Sequence, residues 1–170
     1  MNYSQTFKIE PAGEREIVMT RVFNASADLV FDALTDPKLV KRWLLGPPGW
    51  FMPVCEIDLK VGGKYRYVWR NEDGREMAMG GTYREIVRHD RIVNTEKFDE
   101  AWYPGEALIT TTLVEKDGDT TLTQTMLMVS RQARDEVLKS GMETGVSVSY
   151  DRLDEVLKSS APPNQIKIHS

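Results

Sequence analysis

Groups able to do chemistry are few and scattered in this sequence. His89 stands beside Asp90, and a carboxylate next to an imidazole can orient a base. Both fall in a tight-turn sequence with no Ser or Cys nucleophile at hand, which makes the pair surface chemistry. Two histidines as far apart as His89 and His169 make no recognisable metal spacing, and the single Cys55 excludes thiolate zinc centres and a disulfide framework. Cys55 follows strand parity as a core residue, with no activating neighbour in the sequence. Glu85 and Glu96 lie on adjacent strand segments. One of them near Tyr83 could face an interior and act as acid or base if burial raised its pKa; a solvated sheet face is the commoner fate of Glu. Gly62-Gly63 and Gly80-Gly81 lack the strand–Gly–helix context of a phosphate site. The residues therefore assign no catalytic group, no metal site and no cofactor.

The other notable set is large and apolar. Trp43, Tyr65, Tyr67, Trp69, Met77, Met79, Tyr83, Met142 and Val146 could line a pocket or fill an ordinary core. Gly145 and Ser149 are small where a closely packed helix would want bulk. A gap there forfeits contacts and needs a reason, and ligand space is one. Strand parity alone does not say which face of Met77–Tyr83 points inward. Trp43, before Gly46-Pro47, also reads as an anchor seating short helices on a sheet.

Periodicity supplies the elements that position these residues. Residues 14–23 alternate as a strand, and Ser26 can cap a helix carrying Leu29, Val30, Ala33 and Leu34 on one face. Asp36-Pro37 starts a second short helix over 38–44. From residue 54 the period is two: Cys55, Ile57 and Leu59 alternate with charged residues, and Tyr65, Tyr67 and Trp69 share a face of the next strand. Asn71 to Gly74 turns the chain, and further strands follow at 76–87, 91–98, 107–115 and 120–128. A helix then runs from about Ser130 to Leu157, with a bend expected near Ser140-Gly141. Its stripe is Leu138, Met142, Gly145, Val146, Ser149, Leu153, Val156 and Leu157. The order predicts an α+β domain over 14–158, in which a long C-terminal helix closes one face of a curved seven-stranded antiparallel sheet. Residues 1–13 read as an extension and 159–170 as a flexible tail.

At 170 residues the chain is long enough for one core, and 41% apolar composition is that of a folded protein. The net charge of −4, with basic and acidic residues intermixed, offers no basic face for nucleic acid. No apolar run is long enough to span a bilayer, and the N-terminal residues lack the apolar stretch of a signal peptide, so a cytoplasmic location is expected.

Several segments together resemble a known family. Arg21-Val22-Phe23-Asn24-Ala25 leads into residues 30–37, Val30-Phe31-Asp32-Ala33-Leu34-Thr35-Asp36-Pro37, then Trp43 and Gly46-Pro47. Asp58-Leu59-Lys60-Val61-Gly62-Gly63-Lys64-Tyr65, Gly80-Gly81-Thr82-Tyr83-Arg84-Glu85-Ile86 and Arg91-Ile92-Val93 follow, and the series closes on residues 141–145 and Asp151-Arg152-Leu153. The pattern resembles the activator of heat-shock-protein-90 ATPase homologues, within the START-like (SRPBCC, birch-pollen-allergen-like) superfamily. That resemblance implies a helix-grip fold with a cavity between sheet and helix, taking an apolar small molecule or lipid-like ligand. It also raises two other readings, a cyclase- or hydrolase-type enzyme and a chaperone-associated or stress-response module. The eukaryotic co-chaperone of the family adds a separate N-terminal domain, for which residues 1–13 leave no room. An interaction module would show an exposed apolar patch, for example at Trp50 and Phe51, over a filled interior.

Overall fold

The computed structural model describes residues 3–101 and 103–160. A short 3-10 turn at Ser4–Thr6 precedes strand β1 (Lys8–Ala12) and strand β2 (Glu16–Phe23). Two helices follow, α1 (Ala27–Thr35) and α2 (Pro37–Trp43). Six strands come next: β3 (Trp50–Ile57), β4 (Lys64–Asn71), β5 (Glu76–Val87), β6 (Arg91–Phe98), β7 (Ala107–Lys116) and β8 (Asp119–Leu127). Helices α3 (Arg131–Lys139) and α4 (Met142–Ser160) end the described chain. The strands form one antiparallel sheet in the order β1-β2-β8-β7-β6-β5-β4-β3. The α1–α2 connection carries the chain from β2, near one edge, to β3 at the other.

The sheet has eight strands where periodicity gave seven. The added strand is β1, in the segment read as an extension, pairing Lys8 with Thr20 through Ala12 with Glu16. Its five residues contain Pro11, which cannot donate to a ladder and so argues against a strand by sequence. An edge position tolerates it, because the missing donor costs no hydrogen bond there. Strand β3 starts at Trp50 rather than 54 and ends at Ile57, leaving Leu59 in the turn. Tail residues 161–170, with His169, lie outside the described residues, as does Trp102.

Local chemistry accounts for the helix starts. Ser26 accepts from the Leu29 amide at 3.3 Å, and Glu115 of β7 accepts from the Ala27 amide at 2.6 Å. These supply acceptors to orphan donors at the N-terminus of α1. Asp36 accepts from the Lys38 amide and Pro37 takes the first turn of α2. The expected C-terminal helix is two helices: Ser140 ends α3, and Gly141 takes φ of +82°. A left-handed residue of this kind ends a helix cheaply only as Gly.

The stripe of α4 divides into two halves. Ser149, Tyr150, Leu153, Val156 and Leu157 are buried, and Tyr150 meets Phe7, Phe23 and Trp43 at centroid distances of 5.8, 5.7 and 6.2 Å. The N-terminal half carries Met142, Gly145 and Val146, which are not fully buried. Polar side chains do much of the tethering. Arg21, on the inward face of β2 with Ile17, Met19 and Phe23 and only 1% exposed, donates to the Tyr150 carbonyl and to Asp151, each at 3.1 Å. Its guanidinium also lies 4.6 Å from the Phe23 ring centre. Arg134 of α3, likewise buried, donates to the Glu16 carbonyl at 3.1 Å and to Ala12 and Gly13 at 3.4 Å.

Removing the side chain of Arg21 deletes its bonds to the Tyr150 carbonyl and to Asp151 and leaves a hole in the core. Arg21→Ala is therefore expected to lower the unfolding free energy by about 2–4 kcal/mol in urea titration. A loss below about 0.5 kcal/mol, the range of an ordinary surface substitution, would show that the helix needs no such tether.

Candidate functional site

A cavity of about 480 Å³ lies between the sheet and α4. Residues of β2 through β8 line it, so this face of the sheet is concave. Two bulges, between Phe51 and Val54 in β3 and between Tyr83 and Glu85 in β5, are the kind of irregularity that bends a sheet. The cross-strand pairs Tyr65–Gly81, Tyr67–Met79 and Trp69–Met77 put these side chains on one face and settle the parity of β5. All eleven sequence candidates border the same space. Tyr65, Tyr67 and Trp69 come from β4, Met77, Met79 and Tyr83 from β5, Trp43 from α2, and Met142, Gly145, Val146 and Ser149 from α4. Met77, 44% exposed, stands at the outer rim.

Hydrogen bonds fix the aromatic wall. Tyr65 lies across from Gly81, and its hydroxyl donates to the Thr95 carbonyl at 2.5 Å while accepting from Asn94 at 3.0 Å. A Cβ on Gly81 would stand 1.9 Å from that carbonyl, so only Gly fits. The indoles of Trp43 and Trp69 donate to the Ala33 and Leu44 carbonyls at 2.8 and 2.7 Å, which makes Trp43 an anchor as well as part of the lining. Burial pushes the hydroxyls of Tyr65, Tyr67 and Tyr83 far above the usual phenol range, so they stay neutral.

The two small residues of α4 differ in role. Ser149 accepts from the Gly46 amide at 2.9 Å, and Arg152 donates to the Gly46 carbonyl at 2.7 Å. Its hydroxyl thus clamps the Gly46-Pro47 loop while the residue also borders the cavity. A Cβ on Gly145 would meet only Pro47, at 3.8 Å; this position opens toward the mouth.

Sequence reasoning raised Glu96 as one of two acids that could face the interior, and missed Asn94, Thr111 and Gln124. Ile92, Asn94, Glu96 and Phe98 alternate along β6 and all face the cavity, beside Thr111 of β7 and Gln124 of β8. Their period of two was legible, but a polar pair inside an apolar stripe reads as a solvent face. Glu96 is thus the correction to the solvated reading of the two acids. Glu85 is exposed and paired with Arg91 at 3.3 Å, whereas Glu96 is half-buried on the cavity side, and desolvation pushes its carboxyl up to about 7. Elsewhere, His89 pairs with Asp28 at 3.0 Å rather than with Asp90. Burial raises the Cys55 thiol to about 11, so it is no ready nucleophile. Among the described residues no three His, Cys, Asp or Glu side chains are grouped to hold a metal ion. Nor is any described helix long and apolar enough to cross a membrane.

Residues 24–158 match the family described as Activator of Hsp90 ATPase homolog 1-like protein. The chain belongs to that family. The Hsp90-activator-like fold recurs in a crystal structure from Rhodobacter sphaeroides that is 31% identical, with a TM-score of 0.85 over 90% of this chain and 98% of that one. A solution structure from Arthrobacter aurescens gives 24% identity and a TM-score of 0.78 over 95% and 96% of the two chains. A Mycobacterium smegmatis crystal structure gives 22% and 0.76 over 91% and 100%. No protein of curated function matches this sequence. Membership accounts for the helix-grip architecture shared by these Hsp90-activator-like proteins, and leaves activity to the site itself.

Glu96 makes stability depend on pH. Its proton is held to about pH 7 in the folded chain, against 4.5 for the free group. The folded state binds more protons between those values, so stability falls as pH rises through that window. Glu96→Gln should flatten the fall, gaining up to about 3 kcal/mol on the parent from the acid to the alkaline side of the window. Urea midpoints across pH read this out; parallel curves for the two proteins would contradict the placement of Glu96.

Proposed function

We propose that the protein binds an apolar small molecule in the cavity between sheet and α4. The observation that carries this reading is the cavity itself, at about 480 Å³ within the range of small-molecule sites and lined mostly by aromatic and aliphatic side chains. Protein interiors normally pack with few voids larger than a water molecule. At about 24 cal/mol per Å³, a dry apolar void of this volume would forfeit on the order of 10 kcal/mol, comparable to the whole stability of a domain. Space on that scale, opening beside Gly145 and Pro47, fits a binding site better than a packing defect.

One observation favours a second reading, an enzyme that uses the cavity. Glu96 has the pKa of an acid–base group working near neutrality. It stands alone, however: the other polar side chains of the lining are Asn94, Thr111, Gln124, two serines and tyrosines that burial keeps protonated. Binding needs no second group, whereas acid–base chemistry usually does.

Native mass spectrometry of the purified protein is expected to show a retained apolar ligand. Gly145→Leu should remove that ligand, because the added side chain enters the mouth against Pro47, while circular dichroism stays that of the parent. Equal retention by the folded variant would refute this position for the site.

A further inference from the structure

Among the described residues, Glu96 is the only one lining the cavity with a carboxylate or a cationic side chain. Among the described residues it has neither an ion pair nor a hydrogen bond, although its polar neighbours are engaged. Asn94 donates to the Tyr65 hydroxyl at 3.0 Å and the Thr95 carbonyl at 3.2 Å, and Gln124 donates to the Thr111 hydroxyl at 3.4 Å. A half-buried carboxyl set in an apolar lining without a partner is costly and calls for an explanation. Among the described residues nothing in the sheet or helices supplies one: the two buried arginines, Arg21 and Arg134, are committed to backbone carbonyls and to Asp151 and Asp135.

The surroundings of Glu96 narrow the chemistry of its missing partner. Tyr65, Tyr67 and Tyr103 are close enough for its charge to oppose their ionisation. Aromatic rings beside an acid make a site for an organic cation, because ring faces and carboxylate both attract positive charge. An anionic ligand such as a fatty acid would find no cation in this lining and one carboxyl to repel it.

We propose that Glu96 is a recognition residue, and that the cavity takes an amphiphile whose protonated amine sits on the Glu96 carboxylate while its apolar body lies along Tyr67, Trp69 and Val146. This rests on the cavity-binding reading and adds the charge and orientation of the ligand. Ionised Glu96 and the amine neutralise one another, so a cost of the unliganded fold becomes a contact in the complex.

Three probes of one shape test it: phenylbutylamine, phenylbutanol and phenylbutyrate, titrated calorimetrically at pH about 8, above the Glu96 pKa of about 7 and below that of an alkyl amine, roughly 10. The amine is expected to bind about tenfold or more tighter than the alcohol, and the acid most weakly. In Glu96→Gln the amine-to-alcohol ratio should fall to about one, with the alcohol reporting that the variant is folded and its cavity intact. An acid that binds as well as the amine, or a ratio unchanged in Glu96→Gln, overturns the proposal. Alcohol binding with no preference for the amine overturns it too, while sparing the cavity reading. Failure of all three probes refutes the cavity reading and this inference with it.

Discussion

The C-terminal helices are held to the sheet and to the Gly46 loop by buried and part-buried hydrogen bonds at spaced points, and this tethering allows a gap beneath them. Arg134 gathers carbonyls of the β1–β2 turn, Arg21 reaches the Tyr150 carbonyl, and Ser149 and Arg152 grip both polar groups of Gly46. Side-chain packing alone would draw helix and sheet together until the space closed, because burial and dispersion both reward contact. Directional bonds of fixed length resist that collapse. Each contributes modestly when made, and costs more when broken wherever a buried partner is left unpaired.

The same arrangement separates two tasks along α4. Its C-terminal half, with Leu153, Val156 and Leu157, packs into the cluster that holds Phe23, Phe31 and Trp43. The second cluster, around Ile17, Ile109 and Met128, lies beneath α3 and supports it through Ala133 and Val137. Met142, Gly145 and Val146 fall between these anchorages and border the cavity. The break at Gly141 sits there too, between the two anchorages. Stability and binding space thus belong to different turns of one segment.

Much of this was legible in the sequence, and the exceptions have physical causes. Alternation located most strands and the 3.6 period located the helices, while Ser26, Asp36 and Gly141 marked helix ends by chemistry that is local. The aromatic stripe of β4 was equally plain. Strand β1 was hidden because Pro11 is permitted by an edge that a one-dimensional reading cannot see. Arg21 was hidden, and Glu96 was read as solvated by preference, because a charged residue in an alternating strand normally marks the solvent side. Only the tertiary fold shows that a carbonyl awaits Arg21 and that Glu96 faces a cavity. Ser149 shows the converse: its small size was visible, but its bond to Gly46, more than a hundred residues away in sequence, was not.

Family membership fixes the architecture, and the proposed function rests on the cavity. The most direct test is methyl NMR of the eight methionines during titration with phenylbutylamine. Met19, Met79, Met126 and Met142 line the cavity, whereas Met52 and Met128 are buried outside it. The account predicts saturable shifts of the first four, with Met52 and Met128 nearly still. Shifts spread evenly over all methionines, or confined to those outside the cavity, would contradict it.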